Sequence, residues 1–237
     1  YICLWMRRFV DWFNRRELSE HTILLGFAVI IGVLSALGVV AFYRAIDLSY
    51  FAFYRSTAGI LTRIGALLYR PLITGAGLWT AWYIMRRLGQ SHDGVNVPDV
   101  QIAVVKRGGL VPGRPAIART LASAVTIGSG ASAGSEGPVV VLGAAIGSAL
   151  GRAFDFTADR VRVFVACACG AAISAAFNAP LAGAFFALEE ILGSLSVGSF
   201  SPVVVASVVA AVVSRAVFGN HPAFPMPTQY GLSLIHI

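Results

Sequence analysis

The sequence predicts an all-α polytopic membrane protein whose spans are interrupted by broken and re-entrant helices. Three observations predict it. Of 237 residues, 57% are hydrophobic and only 12% are charged, against about 25% charged in a soluble domain. Three long windows lack Asp, Glu, Lys and Arg altogether: His21–Tyr43 with 23 residues, Val163–Leu188 with 26 and Ile191–Ser214 with 24. One spanning helix needs about 20 apolar residues. The remaining apolar runs, Pro71–Met85 and those flanking Glu136, are too short for comfortable spans, and those flanking Glu136 are broken by glycine. Such segments build transporter binding sites, because non-helical backbone survives at membrane depth only where protein or water covers it.

The elements follow in order. Tyr1–Glu20 spaces Trp5, Phe9, Trp12 and Phe13 helically among Arg7, Arg8, Arg15 and Arg16, which predicts an amphipathic helix at the membrane interface over residues 1–20. Ser19–Thr22 caps the first span, which runs to about Phe53 and is long or tilted. Arg55–Arg70 is a polar connection. Leu72–Met85 enters the membrane again, with Trp79 and Trp82 as interface anchors. Gln90–Pro98 is a turn-rich loop, Asp99–Arg107 a short helix, and Gly108–Pro115 a Gly/Pro break. Ala116–Ile127 is a helix of small residues, followed by the glycine loop and a helix over Val139–Leu150. In that helix Gly143 and Gly147 form a close-packing face.

Ala158–Asn178 is nearly all Ala, Val, Cys and Gly. A second break at Phe177–Pro180 starts a helix ending in Glu189 and Glu190, and Ser199–Phe218 is the last span, stopped by Gly219–Pro222. This makes eight to nine helices of uneven length and no soluble domain. The chain starts at Tyr1 rather than Met, so an upstream part is expected. Leu232–Ile237 resembles the translation of a sequencing-library adapter. Residues 232–237 are therefore set aside as an artefact, the transmembrane region is 21–231, and the gene product is expected to continue beyond Gly231.

The net charge of +7 does not mark a nucleic-acid partner, because the basic residues lie between apolar segments and form no patch. Their distribution favours a cytoplasmic N-terminus. Cys167 and Cys169 sit among small residues and read as packing. His92 and Asp93 read as a solvated turn. No P-loop, dinucleotide fingerprint or metal-ligand cluster occurs, so neither cofactor nor metal is expected.

Glu136 stands out. Sixteen uncharged residues precede it and fifteen follow it, and a carboxylate in such surroundings is costly to keep. Gly128, Gly130, Gly134 and Gly137 let backbone amides approach something closely, and Pro138 suits the first turn of a helix. At a helix N-terminus, an anion and a carboxylate compete for the same N–H groups. The plainer alternative is a structural N-cap carboxylate, favoured by the helix dipole. A rival class has a literal match: Gly130-Ala131-Ser132-Ala133-Gly134 fits the hydrolase elbow G-x-S-x-G, which requires a preceding strand and a downstream acid and histidine. The preceding segment reads as helix, so no enzymatic activity is expected.

GSGASAGSEGPVVVLGAAIGSALGR (128–152) and AAFNAPLAGAFFALEE (175–190) resemble two signature regions of the CLC family of chloride channels and chloride/proton antiporters. The resemblance covers Glu20 to Tyr230 and implies the first of two inverted repeats of that fold. It implies that Glu136 is the gating glutamate, occupying an anion site when deprotonated and leaving it when protonated. It implies that Glu190 is the internal proton-transfer glutamate of the antiporters, with Glu189 a structural neighbour. A solvated helix end is the plainer alternative for both. The implied anion-binding positions are Gly134, Ser135, Gly137, Pro138 and Val139, with Val95 and Asn96 from Gly94–Pro98. Two positions depart from the family pattern: Ser135 replaces a basic residue, and Val95 replaces a coordinating serine and offers only its backbone N–H.

The implied function is transport of chloride or a similar anion in exchange for protons. The implied setting is a homodimer in the lipid bilayer of a bacterial inner membrane. A passive voltage- or pH-gated anion channel, a family member carrying fluoride or another anion, and a non-transporting membrane scaffold are the alternatives.

Overall fold

A computed structural model describes residues 20–55, 66–89 and 96–219. Helix α1 spans Glu20–Tyr50 and runs into a π-turn, Phe51–Arg55; α2 is Ala66–Leu88, α3 Val97–Lys106, α4 Gly113–Gly128 and α5 Glu136–Ala153. Helix α6 is Ala158–Phe177, α7 is Pro180–Phe186 continuing into a π-turn, Ala187–Leu192, and α8 is Val197–Phe218. No strand occurs among the described residues. The interfacial helix expected before residue 20, the loop holding His92, Asp93 and Val95, and residues 232–237 lie outside the described residues.

Among the described residues, three helical stretches are long and apolar enough to cross a membrane: His21–Arg55, Ala158–Phe177 and Gly198–Phe218. Helices α4 and α5, with 16 and 18 residues, reach only about 24 and 27 Å at 1.5 Å per residue. Both fall short of a hydrocarbon core about 30 Å thick. The charge-free run Val163–Leu188 is split at Asn178, which ends α6 in the left-handed region at φ 55°. Pro180 then opens α7, where a missing N–H costs nothing.

Some boundaries differ from the sequence reading. Helix α2 starts at Ala66 rather than Leu72 and carries Pro71 inside it. Tyr69 explains the extension: it is buried, and its ring lies edge-on to Tyr54 at 6.3 Å, so a tertiary contact outweighs the local penalty of proline. Helix α3 starts at Val97 rather than Asp99, because the Asn96 N–H donates to Asp99 Oδ2 at 2.8 Å and caps the first turn.

Helix α6 is the central element. Thirteen of its residues, from Val161 to Ala175, are buried, and α1, α5, α7 and α8 pack around it. Its small side chains let backbones meet. A Cβ on Gly147 would lie 2.5 Å from the Phe164 carbonyl oxygen and 2.8 Å from Val165 Cα, and one on Gly143 would lie 2.5 Å from the Ala168 carbonyl oxygen. The expected close-packing face of α5 is thus pressed onto the α6 backbone. Cys167 and Cys169 are fully buried in the same seam, with Cys169 Sγ 3.6 Å from the Val140 carbonyl oxygen.

Buried hydroxyls tie α6 to α8: Ser174 Oγ donates to the Ser207 carbonyl at 2.5 Å, and Ser214 Oγ to the Ala175 carbonyl at 2.7 Å. At the opposite end of α6, Phe27 stacks on Phe164 at 5.3 Å and meets Phe154 and Phe156 edge-on at 5.0 Å.

Gly147→Val forces a branched side chain into a backbone carbonyl, an overpacking that costs about 1–3 kcal/mol or more. The expected outcome is a clearly lowered melting midpoint, read on a Cys3→Ser background by thiol-dye labelling of Cys167 and Cys169 as they unbury. Gly26→Ala is the control, because a Cβ there meets nothing within 4 Å.

Candidate functional site

Glu136 is the first residue of α5. Ser135 occupies the N-cap position at φ −85°, ψ −11°, and no side chain caps the helix. The first intrahelical bond runs from Val139 N to the Ser135 carbonyl at 3.2 Å. The N–H groups of Glu136 and Gly137 lie ahead of it, and Pro138 has none to offer. Pro138, Val139, Val140 and Val141 are buried and seat this terminus on the core. Glu136 itself is exposed.

Its side chain folds back along the glycine loop. A Cβ built on Gly134 would collide with Glu136 Oε2 and lie 3.1 Å from its Cδ. Glycine at 134 is what leaves room for this rotamer. The carboxylate therefore lies over the loop and not in an N-cap hydrogen bond.

The space around Glu136 is a cleft of about 580 Å³. Ala133, Gly134, Ser135 and Glu136 form one wall. The end of α6 at Asn178, Tyr43 and Asp47 of α1, and Ser214 of α8 form the others. The walls are fixed by hydrogen bonds: Tyr43 Oη donates to the Ala176 carbonyl at 3.4 Å, and Arg215 Nε to Asn178 Oδ1 at 2.5 Å. Two carboxylates, Glu136 and Asp47, thus share one cleft with a helix N-terminus. The partial positive charge of that terminus is suited to an anion, and the carboxylates oppose one unless protonated.

Glu190 belongs to a different cluster. It lies on the π-turn Ala187–Leu192, which packs against α3. Gln101 Nε2 donates to the Glu190 carbonyl oxygen at 2.9 Å and to Glu190 Oε2 at 3.2 Å. Neither Glu190 nor Glu189 lines the Glu136 cleft. The inequivalence of the adjacent pair is visible in Gln101, whose bonds go to Glu190.

The implied anion-binding positions divide in the same way. Gly134 and Ser135 line the cleft, and Gly137, Pro138 and Val139 form the first turn beneath it. Asn96 stands apart at the N-cap of α3, and its N–H is taken by the Asp99 carboxylate. The Gly130–Gly134 elbow match follows helix α4, not a strand.

Sequence reasoning missed Tyr43, Asp47 and Ser214 as cleft residues. The available signal for Asp47 was a lone acid within the apolar segment Ala45–Phe53. Ser214 carried none, since a serine in an apolar span is ordinary.

A family model described as voltage gated chloride channel matches residues 76–237. The chain belongs to the voltage-gated chloride channel (CLC) family. A putative chloride channel protein, ClcB-like, of Ralstonia nicotianae is 30% identical to this CLC chain over 210 residues, 86% of the chain and 49% of the relative. The voltage-gated ClC-type chloride channel ClcB of Escherichia coli K12 is 28% identical over 205 residues, 85% of the chain and 48% of the relative. The CLC chain spans about half the length of the curated relatives it matches.

Two solved structures share its fold. A slow cyanobacterial Cl−/H+ antiporter superposes with a TM-score of 0.74 at 24% identity, over 92% of the CLC chain and 52% of the antiporter chain. A eukaryotic CLC transporter gives 0.67 at 23% identity, over 87% and 39%. The all-α CLC-type architecture expected from the sequence is therefore the observed one.

Gly134→Ala is expected to push the Glu136 carboxylate off the loop. A structure of the variant reads the displacement directly, and its melting midpoint should show a stability within about 1 kcal/mol of the parent, since the position is exposed.

Proposed function

We propose that the complete protein exchanges chloride or a similar anion for protons across a bacterial inner membrane, as a homodimer. The observation that carries the reading is the Glu136 carboxylate, folded over Gly134 at the N-terminus of α5 inside a cleft. One carboxylate and one anion do not both sit at the same N–H groups, because like charges repel. A proton on Glu136 removes its charge, lets it leave and admits the anion. The same proton is then available for transfer in the opposite direction.

Glu190, held on the α3 side, is the second proton station in this reading. The two carboxylates lie in separate clusters, as a relay from one face of the membrane to the other requires. Family membership and the names of the relatives supply the anion; the antiporter among the structural neighbours supplies the precedent for exchange. Ser135 and Val95 stand where the family pattern has a basic residue and a serine, so selectivity among chloride, fluoride and other anions is the property most open to difference here.

A passive anion channel is the second reading, favoured by the name of the Escherichia coli relative. The two differ in one measurement. In vesicles of the complete protein, an imposed proton gradient without an anion gradient drives uphill anion movement only in the exchanger.

Glu136→Gln mimics the protonated gate. It is expected to abolish proton movement while anion flux persists, read by simultaneous pH and anion electrodes. Unaltered proton-to-anion stoichiometry in this variant overturns the proposal.

A further inference from the structure

We infer that Gln101 is the positioning residue of the inner proton station, holding Glu190 in one geometry from helix α3. The inference rests on the reading of Glu190 just given and adds a residue to which neither the sequence motifs nor the family match draws attention.

The bonding follows from how the π-turn ends. Gly193, at φ 63° in the left-handed region, terminates it, and the last carbonyls of a helix lack intrahelical partners. The Glu190 carbonyl lies in this last turn, and Gln101 Nε2 donates to it at 2.9 Å. The same nitrogen donates to Glu190 Oε2 at 3.2 Å. A primary amide has two N–H donors, and both are used on one residue. The backbone and side chain of Glu190 are thereby locked together, with Oε2 occupied and Oε1 left to exchange a proton.

Glutamine suits this task because it is neutral. An acid at 101 would set a like charge against Glu190, and an apolar residue would leave the carboxylate free to rotate. The other charged groups on the packed elements are otherwise placed. On α3, Asp99 accepts the Asn96 N–H and Lys106 lies in the last turn. On the π-turn itself, Glu189 is the neighbour. Asp159, Arg160 and Arg162 lie in the first turns of α6, and Arg215 in the last turn of α8.

The test compares Gln101→Met, Gln101→Glu and Glu190→Gln in the complete protein, reconstituted in vesicles with proton and anion flux recorded together from acidic to neutral pH. Gln101→Met keeps the shape and removes the donors. Its proton flux is expected to fall relative to its anion flux on the order of tenfold, the size of one hydrogen bond to a charged group. In Gln101→Glu, a proton shared between the two carboxyls restores a bridge. Coupling is therefore expected to approach the parent value at acidic pH and to be lost at neutral pH.

A stoichiometry unchanged in Gln101→Met while Glu190→Gln is uncoupled overturns this inference and leaves the proposed function standing. Equal loss of both fluxes in Gln101→Met and Gln101→Glu at every pH also overturns it, by reducing Gln101 to a helix cap. An unchanged stoichiometry in Glu190→Gln overturns the role of Glu190 and this inference with it.

Discussion

The contact on which the rest depends is the meeting of α5 and α6 backbone to backbone. Gly143 and Gly147 bring α5 against the carbonyls of Ala168 and Phe164, an approach that any side chain at either position would prevent. In a membrane, where lipid tails are as apolar as leucine, such close van der Waals packing takes over the role that the hydrophobic effect has in water. The seam fixes the axis of α5 and hence where its N-terminus points. Pro138, Val139 and Val140 are buried up to the first turn, with the Val140 carbonyl against Cys169 of α6 and the Pro138 carbonyl against Thr120 of α4. Glu136 is therefore placed by a glycine seam running down its own helix.

Around that seam, glycine is used in a second and different way. At Gly134 the requirement is room for the carboxylate of Glu136 to lie over the loop. The seam is closely packed while the loop is exposed, so the helix is held by its glycines and its first side chain lies in open space. The cleft wall opposite is equally fixed, by Ser214 on the Ala175 carbonyl and by Arg215 on Asn178. A carboxylate with room around it in such a frame is what the proposed gate requires, and the Asp47 carboxyl group lines the same space.

Much of this was legible in the residues. Each of the three charge-free windows holds most of one long helix, because an apolar segment in lipid satisfies its backbone as a helix. The break at Asn178 and Pro180 was legible because a left-handed asparagine and an N-terminal proline are local devices. The spacing of Gly143 and Gly147 announced a close contact. The early start of α2 was not legible, since it depends on Tyr69 meeting Tyr54, residues 15 apart with the local signal of Pro71 pointing the other way. Asn96 read as an implied anion-binding position, whereas its backbone N–H goes to the Asp99 carboxylate three residues on.

By itself the sequence determined that this is a helical membrane protein, where its helices break, and that Glu136 stands at the start of one of them. These are properties of composition, of local backbone preference and of periodicity, and none needs a distant partner. Only the tertiary structure decided which residues share a space with Glu136. Tyr43, Asp47, Asn178 and Ser214 come from three helices far apart in the chain, brought together by side-chain and backbone contacts that no local pattern encodes. The pairing of Gln101 with Glu190 has the same origin: 89 residues separate them, and it is the docking of α3 on a π-turn that sets one amide against two oxygens.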